Sequence, residues 1–402
     1  MRSKLLGLLV VLALLLGLFG TALAQDDAAA PFCGDLADED CTLLQDSQAA
    51  MMDVSSYKST AVIDAIVAGI PGLPADEINV NLTVDGAFAL DDAALAAGKK
   101  FEGQDQQAVM KMMAEDPQVL LDLVNGADFD LTVSYTMNQE LADFASANAG
   151  VEIPASGSIG VIMVDGVLYA DLSEFAALGA PEGWIGVPVA EALQAQVDAG
   201  VFEQAMAQMD PANMDPTTAA TLGMQSMLMG QVKGFEKYMT IERGEDVEVG
   251  DGQPGAYFST SVDVAGLVAG PEFAEMIKTL ADSGAFEGSG LTAADIEANL
   301  PMVGMMAPMI FADLKVGNTT TIGTEDMFVY NTTSEFSWDL SGLLQMAAMS
   351  GALPAEIDAS APMSFSFTTD VTNSDFNVEQ TIEAPADAMM IPVESMMGQP
   401  AQ

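Results

Sequence analysis

Apolar and polar positions alternate along most of the chain, and the alternation predicts strands. Tyr57–Ile63 and Ile78–Val84 alternate with period two, and Asp128–Met137 sets Phe129, Leu131, Val133 and Tyr135 on one face. Asp85-Gly86 reads as a tight turn into Ala87–Leu90. Ile159–Val164 and Val167–Ala170 flank Asp165-Gly166, the signature of a type I′ hairpin. Trp184–Val187 is a short strand ended by Pro188. Strands resume at Tyr238–Arg243 and Ala256–Val262, joined by a loop rich in Gly and acid. The last third adds Ala312–Val316, Thr319–Gly323, Met327–Thr332, Phe336–Asp339, Met363–Thr369 and Asn377–Ile382. Helical spacing occupies 42–52, 104–124 with Pro117 as a boundary, 189–209, 216–235, 271–283 and 292–311, the last interrupted by Pro301 and Pro308. Hairpin-sized loops between most strands predict an α+β fold, an antiparallel sheet with helices against one face.

One local device recurs. A strand ends in Asp and a helix begins at once, at Asp171, Asp263 and Asp339. Asp is a preferred N-cap, because its carboxylate accepts the unpaired N–H groups of the first turn. Glu174 stands three residues after Asp171, the spacing of a capping box. Capping explains these carboxylates without invoking catalysis.

Three stretches together resemble the LolA/LppX-like extracytoplasmic lipoprotein-carrier superfamily. They are the opening pair Tyr57–Ile63 and Ile78–Leu90, the Asp165-Gly166 hairpin leading through Tyr169-Ala170-Asp171 to Gly183-Trp184-Ile185, and the ending Phe376–Ile382 with Glu383-Ala384-Pro385. The resemblance spans most of residues 50–390. It implies a curved antiparallel half-barrel wrapped around several helices, with a lipid or lipid-linked molecule held between. The chain departs from that pattern in its length, which leaves room for enlarged helices or two fused halves, and in lacking a lipobox Cys. The expected organisation is residues 25–50 as a flexible leader with a disulfide loop and a short helix, 51–392 as one enlarged carrier-like domain, and 393–402 as a flexible tail.

The first 24 residues change the picture of where the chain works. Arg2 and Lys4 precede an apolar run from Leu5 to Phe19, and Ala22-Leu23-Ala24 is a small-x-small exit. This is the pattern of a cleaved secretory signal peptide, in keeping with the bacterial exported protein that the resemblance implies. The expectation is an extracellular, periplasmic or cell-surface location, without a lipid anchor and without a transmembrane segment in the mature form. Export makes a disulfide the default for the chain's two cysteines, Cys33 and Cys41.

Composition then excludes several chemistries. The chain has 59 acidic residues against 11 basic ones and no histidine, yet half of its residues are hydrophobic. A formal charge of −48 opposes binding to nucleic-acid phosphates. Without histidine there is no Ser-His-Asp triad, and the usual zinc ligand sets cannot be assembled. No phosphate loop or nucleophile elbow occurs, so no enzymatic activity and no cofactor is expected. The acidic surface fits solubility, salt tolerance or calcium, with Asp35–Asp40 and Glu242–Asp251 offering oxygen ligands outside any EF-hand pattern.

The 28 methionines cluster in the predicted helices. Met110 and Met113 share one, Met224 and Met227 another, and Met302, Met305, Met306 and Met309 form a stripe at i, i+3, i+4 and i+7. Methionine fills irregular cores, lines adaptable apolar sites, or ligates Cu(I). Taken with the resemblance, these eight residues are the candidate lining of a cavity for a lipid or other hydrophobic molecule, in a monomeric, non-catalytic protein. The alternatives are an acidic structural or adhesive surface protein without ligand, and a Met-based Cu(I) binder.

Overall fold

A computed structural model describes residues 32–69, 75–101, 104, 106–200, 235–250, 252–282, 293–344 and 363–393. The signal-peptide pattern, Met224, Met227 and the helix expected at 216–235 (all but Phe235) lie outside the described residues.

The strands are β1 (Ser56–Ala68), β2 (Glu77–Leu90), β3 (Ala127–Met137), β4 (Ser156–Val164), β5 (Val167–Asp171), β6 (Trp184–Val187), β7 (Met239–Arg243), β8 (Val247–Val249), β9 (Gln253–Val262), β10 (Leu314–Gly323), β11 (Val329–Asp339), β12 (Ser364–Ser374) and β13 (Met389–Met390). They form one open sheet in the order β13-β6-β5-β4-β3-β2-β1-β12-β11-β10-β9-β7, with β8 against β9. Every pairing is antiparallel except that of β13 with β6. The helices are α1 (Asp38–Met51), α2 (Asp92–Lys99), α3 (Gln106–Glu115), α4 (Gln118–Gly126), α5 (Gln139–Ala149), α6 (Val189–Asp198), α7 (Val264–Ala269), α8 (Pro271–Asp282) and α9 (Ala293–Ile310). The α+β class therefore holds.

Antiparallel pairing fixes which helices share an end of the sheet. The chain enters β1 and leaves β2 and β6 at one end, so α1, α2–α4 and α6 gather there. It leaves β3, β5, β9 and β11 at the other, where α5 and α7–α9 lie. The order also recurs across the sheet. The hairpin β4–β5, Asp171, a helical turn and β6 are matched by β10–β11, Asp339, a helix from residue 341 and β12, in the same sense.

The apolar side of the sheet is closed mainly at the α1 end. Leu131, Val161, Met163 and Leu168 form one buried cluster, joined by Val124 of α4 and Val189 of α6. Ala256, Phe258 and Ile322 form another under Leu36, Leu43 and Leu44, the last two on α1. Burying such side chains stabilises by roughly 1.5–3 kcal/mol each. The Cys33–Cys41 disulfide, with Cα atoms 5.4 Å apart, ties the segment carrying Leu36 to the first turns of α1. Tyr57 stacks on Phe88 at 4.8 Å, and burial pushes its phenol up to about 12.

Several local expectations need correction. Asp85-Gly86 is not a turn, because β2 runs through it paired on both edges. A Cβ at Gly86 would collide with the Leu131 side chain, so the glycine admits a core residue instead of bending the chain. Asp165-Gly166 is the turn foreseen, with φ of 51° and 71°. The four short strands expected between 312 and 339 are two continuous ones, β10 and β11, each bonded on both sides. Residues 377–382 are not a strand. Asp375 and Asn377 take positive φ of 52° and 56°, and the Asn377 side chain accepts the Ser55 N–H at 2.8 Å. That contact fixes the entry to β1.

The Asp device occurs in two forms. Asp263 caps α7, accepting the Gly266 N–H at 2.8 Å, and Asp91 caps α2 in the same way at 2.7 Å. Asp171 and Asp339 accept the N–H two residues on, from Ser173 at 3.0 Å and Ser341 at 2.8 Å. Glu174 completes no capping box. It crosses to β4 and accepts the Ser158 N–H at 2.5 Å.

Candidate ligand-binding face

Register carries the apolar side of the sheet beyond the buried clusters. At the α9 end, Leu314, Trp338 and Phe365 are cross-strand neighbours on β10, β11 and β12, and Val316, Phe336 and Phe367 form the next row. Phe336 meets Phe365 edge-on at 5.6 Å. Phe311, which follows α9, stacks on Trp338 at 5.4 Å, and the indole N–H donates to the Ile310 carbonyl at 3.1 Å. Strand β12 lies inside the sheet, paired on both edges, yet Phe365 and Phe367 remain 36% and 39% exposed. Their neighbours Ser364 and Ser366, on the other side of the strand, are less exposed. An aromatic row in mid-sheet that is open to water departs from the usual one-sided burial.

Helix α9 adds a second open apolar surface. From Pro301 onward it is apolar all round, and Gly304 and Ala307 pack inward. A Cβ at Gly304 would lie 3.5 Å from Ala269 at the end of α7, and Ala307 is fully buried. At about 100° per residue the methionines fall on the opposite side. Met302, Met305 and Met309 are 50%, 75% and 59% exposed, and Met306 is half-buried. The stripe read from the sequence therefore exists but faces outward, on an open surface. Met110 and Met113 lie on α3, at the opposite end of the sheet from α9, and Met113 is half-buried. The structure does not bring the α3 pair and the α9 stripe together.

The aromatic residues Phe311, Phe336, Trp338, Phe365 and Phe367 were not singled out from sequence. The signal was there in Met-Ser-Phe-Ser-Phe-Thr, whose strict alternation assigns both phenylalanines to one face.

The other side of the sheet is polar, with cross-strand sets such as Thr60 bonded to Asp85 at 2.7 Å and Thr333 to Asp370 at 2.8 Å. At the strand ends a shallow cleft of about 320 Å³ is lined by Asp313, Lys315, Ser337, Asp339 and Ser366, together with Trp338 and Phe365. The Ser341 hydroxyl and N–H hold the Asp339 carboxyl below the usual range.

The two acidic runs converge on a single cation. Arg243 pairs with Asp40 at 3.3 Å and with Asp246, and lies over the Phe258 ring at 5.3 Å. Among the described residues, no group of three His, Cys, Asp or Glu side chains is placed to hold a metal ion. No helix among them is long and apolar enough to cross a membrane. Compared with known families and curated proteins, the chain matches no family model and no curated sequence.

Proposed function

We propose that the protein is an exported, non-catalytic binder of a lipid or other hydrophobic molecule, held against the apolar side of the sheet at the α9 end. In this reading the open sheet stands where a lipoprotein carrier has its curved half-barrel, and the methionines of α9 flank the bound molecule. The observation that carries it is the exposure of Phe365 and Phe367 on an interior strand. A sheet whose core is closed at one end and aromatic and open at the other offers a surface that water solvates poorly. The outward methionines of α9 supply adaptable contact beside it. The strong negative charge of the chain disfavours adsorption to anionic membrane surfaces, so the molecule carried is one taken into the protein's own apolar surface.

Native mass spectrometry of gently purified protein tests this, followed by titration of the delipidated protein with an uncharged solvatochromic dye. A co-purified apolar ligand or saturable dye uptake is expected. Phe365→Ser combined with Phe367→Ser should weaken uptake about tenfold, the loss of roughly 1.4 kcal/mol of apolar contact. Delipidated protein that takes up no dye and carries no ligand would end the proposal.

A further inference from the structure

The cleft on the polar side raises a separate question, because it holds Lys315, a described lysine that pairs with no carboxylate in a chain of 59 acids. Lys58, Lys99, Lys100, Lys111, Lys237 and Arg243 each pair with a carboxylate, and Lys278 is also engaged. Lys315 is not, although Asp313 and Asp339 line the same cleft. The register sets Lys315 within a long side chain's reach of Asp339, yet the two form no ion pair. Lys315 lies opposite Ser337, and Asp339 is two residues further along that strand on the same side. Such diagonal neighbours have Cα atoms about 7–8 Å apart. With no ion pair formed across it, the ammonium and the carboxylates line one polar cleft, with the Ser366 hydroxyl beside them.

We infer that this cleft binds a zwitterion, a group carrying an ammonium and a phosphate or carboxylate a few bonds apart. The anionic end meets Lys315 and the Ser366 hydroxyl, since the Ser337 hydroxyl already donates to Glu335 at 3.1 Å, and the cationic end meets Asp313 and Asp339. A lone anion would gain Lys315 but face two carboxylates, and a lone cation would face Lys315. Only the paired charge is matched at both ends. Trp338 and Phe365 also belong to the aromatic side, so the same chemistry serves a free small zwitterion or the head group of an amphiphile. The inference stands on the polar cleft and does not depend on the apolar face being occupied.

Calorimetric titration of the full chain at low salt tests it with phosphocholine, inorganic phosphate, tetramethylammonium and dodecylphosphocholine below its micellar concentration. Phosphocholine should bind at least tenfold more tightly than either single ion. Lys315→Gln should abolish that preference and leave the tetramethylammonium affinity at least as high. Asp339→Asn, which retains an acceptor for the Ser341 N–H, should do the reverse. Asp313→Asn repeats the second test away from the helix cap, with thermal unfolding as the check on folding. Binding by dodecylphosphocholine alone, with the same responses to substitution, assigns the cleft to an amphiphile's head group and supports the inference. Single ions that bind as tightly as the zwitterion, or variants without effect on selectivity, overturn it. Neither outcome bears on dye uptake at the aromatic face.

Discussion

Single residues in this chain act through close approach and through charge. Gly86 is occupied from across the sheet by Leu131, so Gly86→Ala should cost about 1–3 kcal/mol in urea unfolding. Adding Leu131→Ala should recover part of that loss, a coupling that distinguishes a packing glycine from a turn glycine. Asp263→Ala should remove about 1 kcal/mol by uncapping α7. Glu272 accepts from Lys237 at 2.5 Å and from Tyr238 at 2.8 Å, which lowers its carboxyl to about 2 from the ordinary 4.5. A depressed folded value means its stabilisation is complete above about 4.5 and lost as pH falls through about 2. An NMR titration should place the Glu272 midpoint near 2, and Lys237→Ala should move it up toward 4.5. At this scale the sequence was legible where geometry is local. Asp263 and the Asp165-Gly166 turn could be read directly. The reach of Glu174 to Ser158 and of Asn377 to Ser55 could not, because both partners are chosen by the register of strands distant in sequence.

Elements were legible wherever one face is buried. The sequence pattern located β3, β4, β6 and β9 closely and the start of β1, which runs on past Ile63 to Ala68, and Pro117 divides α3 from α4 as expected. Long strands rich in Thr, Ser and Asn were read as broken pieces, since their continuity comes from ladders on both edges and not from apolar alternation. Burial direction is the other limit. The i, i+3, i+4, i+7 stripe on α9 was correct as a stripe, but Gly304 and Ala307 took the inward face, because small residues allow closer helix packing. The candidate face was hence half visible, with its methionines named and its aromatic rows found only through register. For α1, the disulfide closes a short loop, so Cys33→Ser with Cys41→Ser should cost about 2–3 kcal/mol in thermal or urea unfolding. The damage should centre on the Phe258–Ile322 cluster beneath α1, read as faster amide exchange in β9 and β10.

The whole molecule is shaped by its charge and by its seam. With −48 spread over the chain, self-repulsion opposes compaction and salt relieves it. The unfolding temperature at neutral pH should rise steadily from 20 mM to 1 M sodium chloride in scanning calorimetry, and a flat or falling response would contradict that account. The seam is the pairing of β1 with β12, which joins the first described strand to the last but one along eleven registered positions from Lys58 to Ala68. Synthesis therefore delivers β1 through β6 long before β12 exists, and β1 waits as a bare edge with unpaired amides. The molecule cannot become one sheet until almost its whole length is available, so its assembly is timed by the arrival of its C-terminal strands. Under the export proposed above, that ordering would keep the finished fold from forming early and leave the long-lived half-sheet as its point of exposure to aggregation.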